Sequence, residues 1–563
     1  MTREDFLRAL EEGRRTRPTH GATLRAIRRL GASPPRSLAD LVRFHEALLF
    51  HAAYPENAAV RRAALRELAR IPNRVRRLAA AGEDFSALDL PESAGIAGTR
   101  IATTFSFDFL SALVARHGQD VRADWEAFDR EDRLGAALPR FAPLLEEEAI
   151  ADANVPYPSW LDSARGRRAE LPWLLERFQS LRGRSEERAE LFDGIGLPIV
   201  WDLSPSVSRT LARAPAGRPF FHPERLLARA DIDLARELAG PRLPLRRLPA
   251  AQARRRLDLA RDAGGVRYRE LYGFTCGDPT TARVVDAGRG CEIALFGLPP
   301  ERRLPLRAGY AAFVTKNGIP VAYVEGLAIF ERIEVGFNVY YTFREGESAW
   351  IYARILKLFR QALGVTSFSV DPYQIGFENE EAIASGAFWF YRKLGFRSTS
   401  RQLRAVTAQE EEKLAADPGR RTPARVLRRF AQRNLLFDAP GASGAAADWE
   451  DFHVRRLGLA VNRRMARDFG GGAEAIRKAS SARVARLLGV DLSRWPPPGR
   501  RAFESLALVL DCVKELPRWT AGEKRAAAEI LRAKSAREEG RYLTLMQRHR
   551  RMREAFLELG SRP

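Results

Sequence analysis

Residues 309–398 read GYAAFVTKNGIPVAYVEGLAIFERIEVGFNVYYTFREGESAWIYARILKLFRQALGVTSFSVDPYQIGFENEEAIASGAFWFYRKLGFRS, and this stretch decides the fold. Residues 309–314 and 320–330 are apolar runs of strand length. Asn317-Gly318 between them suits the two positive-φ positions of a type I′ turn, so the spacing predicts a tight antiparallel hairpin. A third strand follows over residues 334–343, with Val335, Phe337, Val339 and Tyr341 on one side. The loop REGES leads into SAWIYARILKLFRQALG, a helix that turns Ile351, Ile355, Leu356 and Leu363 inward. GVTSFSVDP gives a short buried strand, EEAIASGAFWFYRKLG a second helix capped by Gly395, and FRSTS returns to extended chain. The order β-β-β-α-β-α-β predicts a mixed α/β module.

Upstream of it, GRGCEIALFGL over residues 288–298 alternates as a strand, and the proline-rich PPERRLPLR connects it to the hairpin. Residues 198–201 form another short strand candidate, followed by a loop rich in serine and proline that ends at His222. Residues 241–265 pack seven arginines into 25 positions without an aromatic residue to stack on a base, so they read as a solvated helix face before an anion site. Near the N-terminus, Ser37 and Asn57 are N-cap residues for two successive amphipathic helices. After the boundary at Pro418-Gly419 the chain is helical again, and its Gly470–Gly472 triplet lacks the Lys-Ser/Thr of a phosphate-binding loop. Four regions result: helical 1–194, a mixed connector 195–285, the α/β core 286–405, and helical 420–563.

At 563 residues, with 45% hydrophobic and 29% charged residues, the chain has the composition of a soluble globular protein of two to four domains. Its net charge is +22, but 71 acidic residues are interspersed with the 93 basic ones, as on solvated helix faces. Only eight of the basic residues are lysine. Cys276, Cys291 and Cys512 have neither metal-ligand spacing nor a disulfide pattern, which suits a reducing compartment. The longest nearly apolar run, residues 318–330, contains Glu325 and is too short for a bilayer, so a cytoplasmic location without membrane contact is expected. The seven histidines all lie outside the central module. His45 and His51, six apart on a helix, fall on different faces, so no metal is expected.

The ending AFWFYRKLGF, through Ala387, Tyr391, Lys393, Leu394, Gly395 and Phe396, together with the element order, resembles the GNAT acyltransferase superfamily over roughly residues 290–400. The resemblance implies a GNAT-like mixed sheet with packed helices, and an N-acyltransferase moving an acyl group from acetyl-CoA or another acyl-CoA to a small-molecule or peptide amine. It further implies a phosphate-cradling loop at a helix N-terminus, here Arg344, Gly346, Ser348 and Ala349, one residue tighter than the family's Q/R-x-x-G-x-G/A. Tyr391 matches the acid that protonates the leaving thiolate, and Glu334 and Glu325 on the central strands are candidate bases. Three features depart from the family. Ala384 replaces an asparagine usual seven residues before the tyrosine. No helices are expected between the first two strands. Glu345 and Glu347 put two carboxylates into the phosphate loop, where like charge opposes a polyanion. The rival readings are a non-catalytic GNAT-fold binding or scaffold protein and, behind it, an anion or nucleic-acid binder.

Overall fold

The computed structural model describes residues 2–15, 21–149, 155–417, 419–442 and 446–562; Pro418 of the expected boundary lies outside them. Among the described residues twelve strands form two sheets. The smaller contains β1 (Arg100–Thr104), β2 (Val121–Ala123) and β3 (Pro198–Asp202) in the order β1-β3-β2, all antiparallel. The larger contains β4 (Arg246–Arg247), β5 (Asp278–Gly288), β6 (Cys291–Gly297), β7 (Ala308–Lys316), β8 (Ile319–Ile329), β9 (Arg332–Val339), β10 (Ser367–Val370), β11 (Arg397–Ser398) and β12 (Leu435–Asp438). Its spatial order is β11-β12-β10-β9-β8-β7-β6-β5-β4. β9 and β10 are the parallel pair, and the helix Ser348–Leu363 is the crossover that a parallel connection requires.

The hairpin turn follows the sequence. Asn317 and Gly318 have φ of 49° and 83°, and β7 and β8 meet across them. Asparagine does more than tolerate this conformation. Its Oδ1 accepts the Phe220 N–H at 2.9 Å, and its Nδ2 donates to the carbonyls of Ala53 at 2.8 Å and Phe220 at 3.0 Å. The turn is thereby tied to the N-terminal helix Leu38–Ala53 and to the loop before His222. Asn317→Ala keeps the strained φ and loses all three bonds at a buried site, so we expect a loss of roughly 2–4 kcal/mol in urea unfolding.

The third strand ends earlier than the alternation predicts. β9 stops at Val339, and Tyr341–Phe343 is a 3₁₀ turn held by the Phe343 N–H donating to the Tyr340 carbonyl. The second predicted helix is also divided, into Glu380–Ser385 and Ala387–Arg392, because Gly386 takes φ 66° and reverses the helical sense between them. As the sequence implies, no α-helix separates β6 from β7, only the 3₁₀ turn Pro300–Arg302. The face such helices would cover is instead packed by Ala250–Gly265 and Tyr272–Thr275, which precede β5. Most of the arginine-rich run thus belongs to a docked helix: Arg256 pairs with Glu292 at 2.8 Å, and Arg261 donates to the carbonyls of Phe274 and Thr275.

One apolar core unites the N-terminal helices, the large sheet and the C-terminal helices, whereas most of residues 94–207 surround the small sheet in a core of their own. The expected boundary at 194/195 passes between β2 and β3, which pair directly, and β4 and most of β5 precede the expected start of the α/β core at 286. The N-terminal caps form as read: Ser37 accepts from the Asp40 N–H, and Asn57 from the N–H groups of Ala59 and Val60. Among the described residues no helix is long and apolar enough to cross a membrane.

Candidate functional site

The parallel pairing of β9 with β10 runs only from Arg332–Ser367 to Glu334–Ser369. Beyond it β9 continues to Val339 along β8, while β10 ends at Val370 and turns at Asp371 into the short helix Pro372–Ile375. Among the described residues no strand therefore pairs with the outer edge of 335–339, and the two chains part. The gap is a cleft of about 300 Å³ lined by Phe337, Asn338 and Val339 from β9, Tyr373 and Gln374 from the opposite wall, and Phe390 and Tyr391 from the floor. Arg269, Arg344, Ser348 and Glu381 reach it as well. This size suits part of an extended ligand.

Ser348 opens the helix Ser348–Leu363, whose first turn leaves backbone N–H groups without intrahelical acceptors at the positive end of the helix dipole. Arg344 stacks on the Tyr341 ring, 3.9 Å from its centroid, and is ion-paired with Glu381 across the cleft. Burial pushes the Glu381 carboxyl up, but the hydrogen bond and charge of Arg344, with the Tyr341 hydroxyl donating at 3.0 Å, bring it below the ordinary carboxylate range.

Glu347 is fully buried, and its side chain turns away from the cleft to meet Lys316 Nζ at 2.6 Å and Arg289 Nε at 2.9 Å, with His222 Nδ1 at 3.8 Å. Burial alone raises its pKa, yet Arg289 and Lys316 hold it down at about 2. The expected repulsion of a polyanion by Glu347 is thus corrected. Its charge is neutralised inside the protein, where it fixes the N-terminus of the helix.

Tyr391 sits on the cleft floor in an aromatic cluster, its ring 5.6 Å from Tyr352 and 5.9 Å from Phe396. Burial raises its pKa well above the ordinary tyrosine value, so the hydroxyl keeps its proton. The Tyr352 hydroxyl, also buried, has no hydrogen-bond partner among the described residues. Phe337 faces this cluster, 5.0 Å from Tyr352, so Glu334, three residues earlier, falls on the opposite sheet face. There it pairs with Arg307 at 3.0 Å in a separate small concavity with Arg332 and His453. Glu325 shares that face, directly across from Gly336, and accepts the Gly273 N–H at 3.1 Å. Burial raises its pKa, and the Gly273 bond partly opposes this. Glycine at 336 places no side chain between Glu325 and the cleft: the nearest side-chain atom to its Cβ position is Nε2 of the lining residue Gln374, at 3.8 Å.

Of the residues singled out from the sequence, Arg344, Ser348 and Tyr391 meet at the cleft. Gly346 and Ala349 do not line it: Gly346 admits Tyr54, whose hydroxyl lies 2.6 Å from a Cβ built there, and Ala349 is buried under the loop. Sequence reasoning missed Glu381, Arg269 and Gln374, which no motif marks. It also set His222 aside, although His222 stands beside the Glu347 network. Among the described residues no group of three or more histidine, cysteine or carboxylate side chains could hold a metal ion. Compared with protein-family models, curated proteins and solved structures, the chain has no significant match.

Proposed function

We propose that this chain is a divergent GNAT-like N-acyltransferase that holds an acyl-CoA in the cleft between β9 and β10. The observation that carries the reading is the early end of the parallel pairing, which opens a gap between a helix N-terminus and a buried tyrosine. In this reading the pyrophosphate lies against the first amides of Ser348–Leu363 with Arg344 beside it, where unpaired N–H groups and the dipole favour an anion. The amine attacks the thioester carbonyl. Glu325, on the side that Gly336 leaves open, accepts the amine proton directly or through water. Tyr391 gives its proton to the departing thiolate. Glu334, paired with Arg307 on a different concavity, is the weaker base.

Titration calorimetry of the full chain with acetyl-CoA tests this directly. Saturable binding at micromolar to millimolar ligand is expected, and none at millimolar ligand sinks the reading. Because Arg344 is shared with Glu381, Glu381→Gln frees a guanidinium for phosphate. The pair is half exposed, so the gain is modest: affinity for CoA rises about 3–10-fold in the same titration.

One observation favours a scaffold instead. Both ends of the helix Ser348–Leu363 are engaged by other regions: Tyr54 against Gly346, and Gln547 Nε2 donating to the carbonyls of Phe330 and Leu363, both at 3.0 Å. In that reading the sheet is a hub on which both helical arms dock, and acetyl-CoA gives no heat.

A further inference from the structure

More than half of the net charge lies in the C-terminal helices. Between Phe452 and Arg562 there are 25 basic and 12 acidic residues, a net +13 of the chain's +22 in about a fifth of its length. This segment folds into helices that include Val454–Phe469, Ala473–Leu488 and Pro497–Leu510, which pack on one another. Part of the charge is internal: Asp511 is buried between Arg464 at 2.6 Å and Arg483 at 3.2 Å. The remainder is not. Arg463, Arg477, Lys478, Arg486, Arg500 and Arg501 are all exposed, and among the described residues none of the six has a carboxylate partner or a side-chain hydrogen bond. Six unpaired cations on adjoining helices repel one another and make a lasting positive potential.

We infer that the solvent side of this helical module binds the phosphodiester backbone of a nucleic-acid duplex. Charge complementarity selects a polyanion. The absence of aromatic side chains among the exposed large apolar residues of the module argues against single strands, whose bases need stacking platforms. Leu459 is the one exposed large apolar side chain there among the described residues, too little for insertion into a lipid surface. Lys478 and Arg486, eight residues apart on one helix, are roughly 12 Å apart along its axis, comparable with the width of a B-form major groove. Binding is by backbone contacts and carries no base specificity. The inference does not depend on the cleft or on its chemistry.

The test is fluorescence anisotropy of labelled DNA and RNA duplexes of about 24 base pairs, titrated with the full chain at about 50 and 200 mM salt, with vesicles of anionic lipid as a second probe. Affinity for at least one duplex should fall at least 100-fold across that salt range. R463E/K478E/R486E should weaken binding at least tenfold and flatten the salt slope by about three charges, whereas R254E/R255E in the docked helix should leave it unchanged. The milder K478Q/R486Q should give a smaller shift in the same direction, and melting temperatures of all variants show whether they fold. No binding to either duplex, binding insensitive to the triple reversal, or binding to the vesicles alone overturns the inference.

Discussion

Lys316→Met should loosen the helix Ser348–Leu363 by roughly 3–5 kcal/mol, the cost of leaving a buried carboxylate without its closest partner. Lys316 and Glu347 have fully buried side chains 2.6 Å apart, and the ammonium also lies 4.9 Å from the Tyr54 ring and 5.2 Å from that of Trp350. Arg289 remains in the variant, but it is partly exposed and cannot replace a charge enclosed by aromatic walls. Hydrogen exchange of the amides in Ser348–Leu363 reads the effect locally: protection should fall by roughly 10²–10³-fold while the small sheet around β3 is unchanged. Lys316→Met combined with Glu347→Leu should recover a substantial part, since Arg289 can turn to solvent once neither buried charge remains. The pH dependence has a definite sign. Glu347 is depressed in the folded state, so its contribution is fully present above the ordinary carboxylate pKa of about 4.3 and is lost as pH falls toward about 2. Without Lys316 that loss should begin at higher pH. A variant whose protection and acid limb match the parent would show that the pair does not hold the helix terminus.

This network also marks where sequence reading stops. The Asn317-Gly318 turn, the caps at Ser37 and Asn57, and the crossover helix were legible because each is fixed by residues within a few positions of one another. The partners of Glu347 are 31, 58 and 125 residues away, and no local pattern links Lys316, Arg289 and His222 to it. The loop therefore read as doubly acidic, although burial and pairing neutralise Glu347. The division of the last helix at Gly386 was hidden for a related reason: a single glycine in a helical pattern is compatible with continuation, and only the surrounding packing selects the left-handed conformation. At the cleft, Tyr391 was legible through its motif. Glu381 and Gln374 come from the opposite wall, and only the parting of β9 from β10 brings them to the same space.

Tyr391→Phe separates the enzyme from the scaffold. If Tyr391 gives the proton to the departing thiolate, its replacement should lower amine-dependent release of free CoA from acetyl-CoA by roughly 10²–10⁴-fold, while calorimetry shows unchanged CoA affinity. The ring stays, so the contacts with Tyr352 and Phe396 and the closure of the floor are preserved, and melting should move little. The pH profile adds a second readout. Burial raises the Tyr391 pKa above the ordinary value, so the acid remains protonated and activity should not decline until well above pH 10. Glu325 must be ionised to accept a proton, and burial raises its pKa too, so the acid limb should lie above the ordinary carboxylate range. Glu325→Gln should abolish that limb together with most of the turnover. If acetyl-CoA binds and thiol release proceeds equally in the parent and in Tyr391→Phe, the tyrosine is a floor residue and the leaving group takes its proton from water. If acetyl-CoA neither binds nor reacts, the cleft is a remnant of the fold, and the sheet serves to join its helical arms.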